Sequence, residues 1–475
     1  MRIARTAALL ASLTLAACAH ARQADVRLPA AYEAPQPAAG TAPVALDRWW
    51  TAFDDPQLDG LIAHALTANP DARSAAARLR EARATAESSL TQFLPQGDAT
   101  ASARRTHTQQ LSGTVINFPG FSTSGTSEQD AANLNVSWEI DLFGRIFGAS
   151  RAARGDVATA EFDYEATRWS LAAQLADAYF QARGYAIQLA DAQEAVQIEQ
   201  GLYDVAEKRA QRGLGTTADA DRIAGDLAQA RATAENQKAL LQAERRQVLI
   251  LAGRPIDPTA SLSVPAQVGR IPQVPATLPS QLLERRPDIR EAQARVESAS
   301  GRLLLQDLAF FPTFTLTPGV GWSRVVQPGF RSTSDSWTLG GSLTQPVFSI
   351  PRLLLDLKAQ NARTEEAVLG YEKAVQTAFG EAEGALVNLD ADRRRVAILT
   401  EGEARARRAY DAARLGYERG LTDLDTALNA EQTWRSARIQ LTSARIQGLR
   451  QAVAAYKAIG GGWPGADLPT SEQAR

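Results

Sequence analysis

Residues 313–323 read Thr313-Phe314-Thr315-Leu316-Thr317-Pro318-Gly319-Val320-Gly321-Trp322-Ser323. Polar and mostly apolar side chains alternate along this run with a period of two residues, which is typical of a β-strand with one apolar and one polar face. A similar run follows at about 335–346, and two more precede it at about 97–107 and 131–141. The sequence therefore predicts four two-faced strands, grouped as two pairs.

Strands of about ten residues with two such faces, and with Trp near their ends, are typical of a transmembrane β-barrel with a wet interior. A single hairpin of this kind would instead favour a soluble β-sandwich. Four strands are too few to close a barrel of about eight or more, and an open sheet edge cannot lie in lipid. We therefore expect each chain to donate four strands to a shared barrel, which has about twelve strands when three copies contribute.

Long helices account for most of the remaining chain. Proline is absent from 120–254 and from 352–463, and both regions are rich in good helix formers. Between Leu171 and Val196 the core-type residues recur about every 3.6 positions, a spacing close to that of coiled coils. The pattern continues from 148 to 213, far beyond a globular helix. A plain antiparallel coiled coil without a channel would explain these helices equally well.

The chain is a tandem duplication. Asn69-Pro70-Asp71 matches Arg286-Pro287-Asp288 after 217 positions, and Arg212-Gly213-Leu214 matches Arg419-Gly420-Leu421 after 207. The first copy therefore carries a short insertion, which we place between about 96 and 140. The predicted segments are a signal peptide (1–17), an acylated and disordered linker (18–45), a first repeat (46–253), a Pro-rich linker (254–279), a second repeat (280–460) and a disordered tail (461–475).

The amino terminus is typical of a bacterial lipoprotein signal. Arg2 and Arg5 precede an apolar run, Ala7–Ala17, that is too short to span a bilayer and is followed by Cys18, the only cysteine. A cysteine at this place favours covalent acylation of Cys18, with an N-acyl chain and an S-diacylglycerol, over an ordinary signal peptide. Ala19 follows the cysteine, and resemblance to known lipoproteins then favours an outer-membrane destination.

The composition excludes several classes of function. The 475 residues include one Cys, one Met and three His, and the formal net charge is −2. We therefore expect no disulfide, no cysteine or histidine metal site, no cofactor and no enzymatic activity. A near-neutral charge also gives no basic surface for nucleic acid.

Five stretches, in order and at consistent spacing, resemble one family. They are Trp49-Trp50 with Phe53-Asp54-Asp55-Pro56-Gln57-Leu58, Asn69-Pro70-Asp71, Glu139-Ile140-Asp141-Leu142-Phe143-Gly144-Arg145, Leu278-Pro279-Ser280, and Leu282-Leu283-Glu284-Arg285-Arg286-Pro287-Asp288-Ile289-Arg290. The chain resembles the outer-membrane efflux factors of RND-type tripartite pumps, the TolC/OprM-type channel-tunnels, and among them the NodT-like lipoproteins.

The resemblance implies a mixed α and β membrane protein. It implies a homotrimer with a twelve-stranded outer-membrane barrel continuous with a periplasmic α-helical barrel, serving as the passive exit duct of a tripartite efflux system. Its implied partners are a periplasmic adaptor, an inner-membrane RND-type pump and outer-membrane lipid. The alternative is a lipoprotein adaptor, a periplasmic coiled-coil scaffold of an export system.

The helix–helix turns are the predicted gate. Gly213 and Gly420 supply the left-handed conformation that ends a helix, and acidic residues follow each turn, where three copies would form a carboxylate ring that attracts cations. The simpler interpretation is helix capping by Thr216, Thr217 or Thr422 with an Asp in the first turn. Family members often carry Asp where this chain has Asn429, so we expect the acidic ring to be displaced by one helical turn, to Asp425. The candidate gate residues are Asp219, Asp221, Tyr417, Arg419, Asp423, Asp425 and Asn429.

Overall fold

The computed structural model describes residues 24–35, 46–109, 111–112, 124–213, 215–275 and 277–461. The predicted signal peptide, Cys18, Leu214 and the tail from 462 lie outside the described residues. No helix among the described residues is both long enough and apolar enough to cross a bilayer.

Helices and strands follow one another in two similar series, joined by a proline-rich segment. The first series is α1 (Pro56–Ala68), α2 (Pro70–Thr91), β1 (Gln96–Thr108), β2 (Gly125–Ile140), α3 (Arg145–Gln211) and α4 (Thr217–Leu251). The second is α5 (Leu282–Arg285), α6 (Pro287–Leu308), β3 (Thr313–Gln327), β4 (Phe330–Thr344), α7 (Ile350–Glu418) and α8 (Leu424–Ala458). Short 3₁₀ segments lie at Leu46–Phe53, Thr259–Ser261 and Pro279–Gln281.

The chain divides into two compact units. The first contains 80–158 and 293–370, and its described part holds one antiparallel sheet in the order β1-β2-β3-β4. Three strands run several residues past the predicted ends: β2 begins at Gly125 rather than about 131, β3 continues to Gln327, and β4 begins at Phe330. The side-chain alternation fades in these extensions, but backbone hydrogen bonding between neighbouring strands continues, as in the pair Gln327↔Phe330.

The stretch 139–145 forms the junction between β2 and α3. The carboxylate of Asp141 accepts hydrogen bonds from the backbone N–H groups of Gly144, Arg145 and Ile146 at 2.8 to 2.9 Å. Burial opposes ionisation, but these hydrogen bonds outweigh it and lower the pKa of Asp141. Glu139 pairs with Arg145 at 2.8 Å across the same turn. The stretch therefore fixes where β2 ends and α3 begins.

The second unit contains 25–79, 159–292 and 371–475. Its core is mostly aliphatic and contains an aromatic cluster, in which Trp49 stacks on Tyr456 with ring centroids 5.9 Å apart and Phe53 contacts Phe180 at 4.9 Å. The carboxylate of Asp55 caps α1 and also accepts a hydrogen bond from Tyr179 at 3.0 Å. The stretch 49–58 is thus a packing and capping motif.

The segment 24–35 corrects the expectation of a wholly disordered linker. Tyr32 is 7% exposed and stacks on Phe379 of α7, with ring centroids 5.8 Å apart. The backbone N–H groups of Glu33 and Ala34 donate to the carboxylate of Glu383 at 3.1 and 2.7 Å. The carboxylate of Glu372 accepts from the N–H of Asp25 at 2.8 Å. One aromatic anchor and two carboxylate acceptors on α7 therefore hold a segment whose composition alone favours disorder.

The proline-rich segment between the repeats also packs on this core. Leu262, Val264 and Val274 are buried in it, and the hydroxyl of Tyr456 donates to the carbonyl of Gln273 at 2.9 Å. Proline excludes helix here, and the apolar side chains between the prolines hold the irregular chain against the helices.

Candidate functional site

The first tip, residues 209–222, is the turn from α3 to α4. Gly213 has φ +71° and its N–H donates to the carbonyl of Ala210 at 3.0 Å, which closes α3. The hydroxyl of Thr216 accepts from the N–H of Asp219 at 3.2 Å, and the N–H of Thr216 donates to the Asp219 carboxylate at 3.3 Å. These hydrogen bonds lower the pKa of Asp219. The predicted capping role of Thr216 and Asp219 is confirmed.

The second tip, residues 413–429, is the turn from α7 to α8, and its cap differs from the expected one. Gly420 has φ +73°. Asp423 itself caps α8, because its carboxylate accepts from the N–H of Thr426 at 2.7 Å, and hydrogen bonding with Thr426 lowers the pKa of Asp423. The hydroxyl of Thr422 instead donates back to the carbonyl of Ala413 at 3.1 Å. The prediction that Thr422 caps α8 is therefore wrong, because the Thr422 side chain hydrogen-bonds to α7 and not to the first turn of α8.

Two contacts join the tips to each other. Arg222 of the first tip pairs with Asp425 of the second tip at 2.6 Å between Nη1 and Oδ1. Arg209 lies over the ring of Tyr417, with its Cζ 5.2 Å from the ring centroid, and Tyr417 is only 7% exposed. The structure thus brings two of the predicted gate residues, Asp425 and Tyr417, together with arginines from the other repeat.

A cavity of about 480 Å³ lies next to these contacts, between α3, α4 and α8. Glu199 and Glu431 line it and share Arg435, at 3.3 and 3.6 Å respectively. Glu431 is 2% exposed, and burial together with the charge of Glu199 raises its pKa to about 7. Asp226 and Asn429 also border the cavity. In the described part of the chain, no three acidic, His or Cys side chains are placed to hold a metal ion.

The remaining predicted gate residues are not brought into this arrangement. Asp221 and Arg419 are exposed, and neither side chain has an ion pair within the described residues. Asn429 is exposed at the edge of the cavity.

Sequence reasoning missed five residues of the site: Arg209, Arg222, Glu199, Glu431 and Arg435. Apart from Glu431 and Arg435, which both lie on α8, the partners lie on separate helices, and Arg222 and Asp425 are 203 positions apart. The duplication was the one signal that could have linked them, because it aligns the two turns and thereby predicts that their flanks are neighbours.

The sheet presents two chemically different faces. On one face, large apolar side chains are exposed to between 39 and 79% of their area. Registered pairs show that they share this face: Leu134, Val320 and Trp337 form one row, and Trp138 lies in another beside the partly buried Leu316. The opposite face carries hydroxyl and amide groups. Of the described strand residues on the polar face, the charged ones are Asp98, Arg104 and Glu139.

A sheet with one apolar face, one polar face and two open edges, in a chain that also has paired long helices, is typical of channel-forming outer-membrane proteins. The two helix-turn tips are the candidate constriction of such a protein.

The chain belongs to the outer membrane efflux protein family, whose model matches residues 61–254 and 278–461. It is 31% identical over 428 residues to the pyoverdine export outer membrane protein OpmQ of Pseudomonas aeruginosa, covering 88% of this chain and 87% of that one. It is 31% identical over 471 residues to OpmQ of Pseudomonas putida, covering 97% of both. The solved outer-membrane channel OprN is similar with a TM-score of 0.79 and 28% identity, over 93% of this chain and 99% of that one.

The protein is therefore an outer-membrane efflux channel whose helices lie in the periplasm. The resemblance inferred from the five motifs is confirmed. The adaptor alternative has no support among these relatives.

Proposed function

We propose that this chain forms a homotrimeric, passive exit duct that receives its substrate from an inner-membrane RND-type pump through a periplasmic adaptor. The observation that carries the proposal is the sheet itself: in the described chain it has four strands, opposite polarity on its two faces, and unpaired outer edges on β1 and β4. The duct uses no cofactor and catalyses no reaction.

The unpaired edges require other copies of the chain. An edge strand exposes a row of N–H and C=O groups, and each such group costs several kcal/mol in hydrocarbon, where water cannot satisfy it. Pairing β4 of one copy with β1 of the next removes both edges. Three copies then give a closed barrel of about twelve strands, which is large enough for a water-filled interior.

The polar face of the sheet would line this interior. Asn133 and Asn135 of β2 lie opposite Gly321 and Gly319 of β3, and the absence of side chains on those glycines leaves room for the amide groups. Neutral hydroxyl and amide groups hydrate readily and bind few solutes tightly. Such a lining suits conduction, which requires weak binding along the path.

We further propose that the tips form the periplasmic gate. The pair Arg222–Asp425 and the contact of Arg209 with Tyr417 tie the first tip to the second, so the tips cannot separate without breaking both. An adaptor that offers competing partners would release them. In the trimer, Asp425 and the neighbouring Asn429 would each be repeated three times around the axis, and Asp219, Asp221 and Asp423 would add negative potential at the entrance.

We propose that Cys18 carries the lipid anchor. The lone cysteine stands directly after the small residues Leu15-Ala16-Ala17 that end an apolar signal. The docked segment 24–35 begins six residues later, so the anchor is joined to the folded body by a short connection.

The proposal is tested on the full-length protein purified from outer-membrane fractions. Native mass spectrometry is expected to give three copies, and the unheated sample a trimer-sized band that heating converts to the monomer. In planar bilayers the same sample is expected to conduct ions. A monomeric protein, or one found only in inner-membrane fractions, would contradict the proposal and favour a scaffold role.

A further inference from the structure

The apolar face of the sheet ends in charged residues at the hairpin ends of the strands. Strand register places most of them in two adjacent rows, which we call the outer charged rows. One row contains Arg105, Glu128, Val326 and Arg331, and the next, farther from the hairpins, contains Ala103, Asp130, Arg324 and Thr333. On the same face, His107 and Thr126 pair nearer the hairpin, and Asp335 lies opposite Trp322 at the edge of the apolar band.

The rows lie directly beyond an apolar band on the same face. On β3 the band runs from Phe314 to Trp322, a length of about 27 Å at about 3.4 Å per residue. Outer-membrane barrels carry an apolar band about 25 Å tall, and strand tilt shortens the height of this one somewhat. The outer charged rows therefore lie at the level where lipid headgroups meet the barrel.

Connectivity identifies the leaflet. The ends of the strands near Gln96, Ile140, Thr313 and Thr344 lead directly to helices, and the helices lie in the periplasm. The outer charged rows are at the opposite ends of the same strands. They therefore face the outer leaflet.

The arginines of the rows are loosely held. Arg105 is 3.5 Å from Glu128, and Arg324 is 3.8 Å from Asp130. The arginine side chains are 75% and 44% exposed, and pairs of this kind contribute little because water and salt screen them. Arg331 is exposed and has no ion pair within the described residues. A phosphate group would therefore displace little when it binds these guanidinium groups.

We propose that the outer charged rows bind the phosphate groups of a phosphorylated glycolipid in the outer leaflet, with its acyl chains lying on the apolar band below. This inference rests on the proposed barrel. Arginine binds phosphate through two parallel N–H···O hydrogen bonds, which a lysine cannot match. The lipid is favoured over free phosphate because its acyl chains hold the headgroup beside the arginines, which raises the effective concentration of phosphate there.

The test uses the purified trimer and bis-phosphorylated lipid A. Bound lipid is counted by native mass spectrometry with lipid A and with the same lipid after its phosphates are removed. The variant is Arg105→Gln with Arg324→Gln and Arg331→Gln. The control is Arg104→Gln, which removes one positive charge from the neighbour of Arg105 in β1, on the polar face of the sheet.

Wild type and Arg104→Gln are expected to retain lipid A about tenfold better than the dephosphorylated lipid, and the triple variant is expected to lose this preference. Equal retention of both lipids by wild type would overturn the proposal, and this comparison needs no variant. Loss of preference in Arg104→Gln as well would also overturn it. Conductance is recorded on the same samples: a conducting trimer without lipid preference disproves the lipid site alone, and a non-conducting monomer disproves the proposed channel.

Discussion

Asp425 shows how the role of one residue depends on a partner remote in sequence. The sequence predicted a gate carboxylate at this position, and the structure pairs it with Arg222 of the other repeat at 2.6 Å. Both side chains are more than half exposed, so salt and water screen the pair. A screened ion pair suits a gate that a partner protein must open reversibly.

We expect Asp425→Asn to raise the conductance of the purified trimer in planar bilayers by about twofold or more, because each tip then loses its ion pair. Combining Arg222→Asp with Asp425→Arg restores the opposite charges and should return the conductance towards the wild-type level. Asp221→Asn is the matched control, since Asp221 is exposed nearby and has no ion pair within the described residues. Equal conductance of Asp425→Asn and Asp221→Asn would show that the Arg222–Asp425 pair does not hold the gate closed.

Glu431 is the buried counterpart to this exposed pair. Burial and Glu199 of α3 raise its pKa to about 7, with Asp226 of α4 acting in the same direction and Arg435 of α8 against it. In the unfolded chain the group titrates near its ordinary pKa of 4.5. Between about pH 4.5 and 7 the folded state therefore binds more protons than the unfolded state, and stability falls as pH rises through this window.

Glu431→Gln should remove this loss of stability at higher pH. At pH 8 we expect the variant to unfold about 2 to 4 °C above wild type, and near pH 5 the two should coincide. Thermal unfolding of the trimer followed by circular dichroism measures the difference. Glu235→Gln is the control, because Glu235 is exposed on α4 and pairs only with Lys238 within the described residues. A difference that does not vary with pH would argue against a raised pKa.

At the scale of elements, close helix packing in the sheet-bearing unit depends on two glycines. A Cβ on Gly301 of α6 would lie 2.3 Å from the backbone nitrogen of Ala152 on α3, and a Cβ on Gly155 of α3 would lie 2.5 Å from the backbone nitrogen of Ser298 on α6. Backbone atoms cannot move aside as a flexible side chain can, so the two helices approach this closely because positions 155 and 301 have no side chains. Composition and periodicity assign 301 to a helix and do not reveal this contact.

We expect Gly301→Ala to destabilise the protein by about 1 to 3 kcal/mol, since α3 and α6 must separate to admit the methyl group. Gly370→Ala in α7 is the control: no atom lies within 4 Å of a Cβ built there, and alanine favours helix by about 1 kcal/mol. Urea unfolding of both variants provides the comparison. If Gly301→Ala proved as stable as Gly370→Ala, the close approach of α3 and α6 at position 301 would be contradicted.

The strands also separate what the sequence predicts from what only the structure shows. Period-two alternation located all four, because one face of each is apolar, but it ended β3 at about 323 and began β2 at about 131. The polar residues 125–130 and the stretch 324–327 remain strand because neighbouring backbones hydrogen-bond to them whatever their side chains are.

At the scale of the whole molecule, the barrel and the lipid anchor are two independent means of membrane attachment in the proposed function. The segment 24–35 is held on α7 by Tyr32 and by the hydrogen bonds to Glu383, and none of these contacts involves the lipid.

We therefore expect Cys18→Ala to abolish acylation without abolishing the channel. The mature wild-type chain should carry the mass of one diacylglycerol and one further acyl chain, which intact-mass spectrometry would detect. The variant should lack that mass, still form trimers and still conduct. Failure of the unacylated variant to assemble would mean that the lipid is needed to place the barrel in the membrane.

The sequence alone determined the class of protein, the duplication, the four two-faced strands, the long helices and the position of the two turns. These follow from local periodicity, from the placement of proline and glycine, and from short motifs that recur in order along the chain. Only the tertiary structure decided which partners the gate residues have, that Asp423 rather than Thr422 caps α8, that 24–35 is docked, and which of Arg104 and Arg105 shares the apolar face. The reason is physical: periodicity is set by a residue's immediate neighbours, whereas an ion pair, a buried carboxylate or a strand register joins positions hundreds of residues apart.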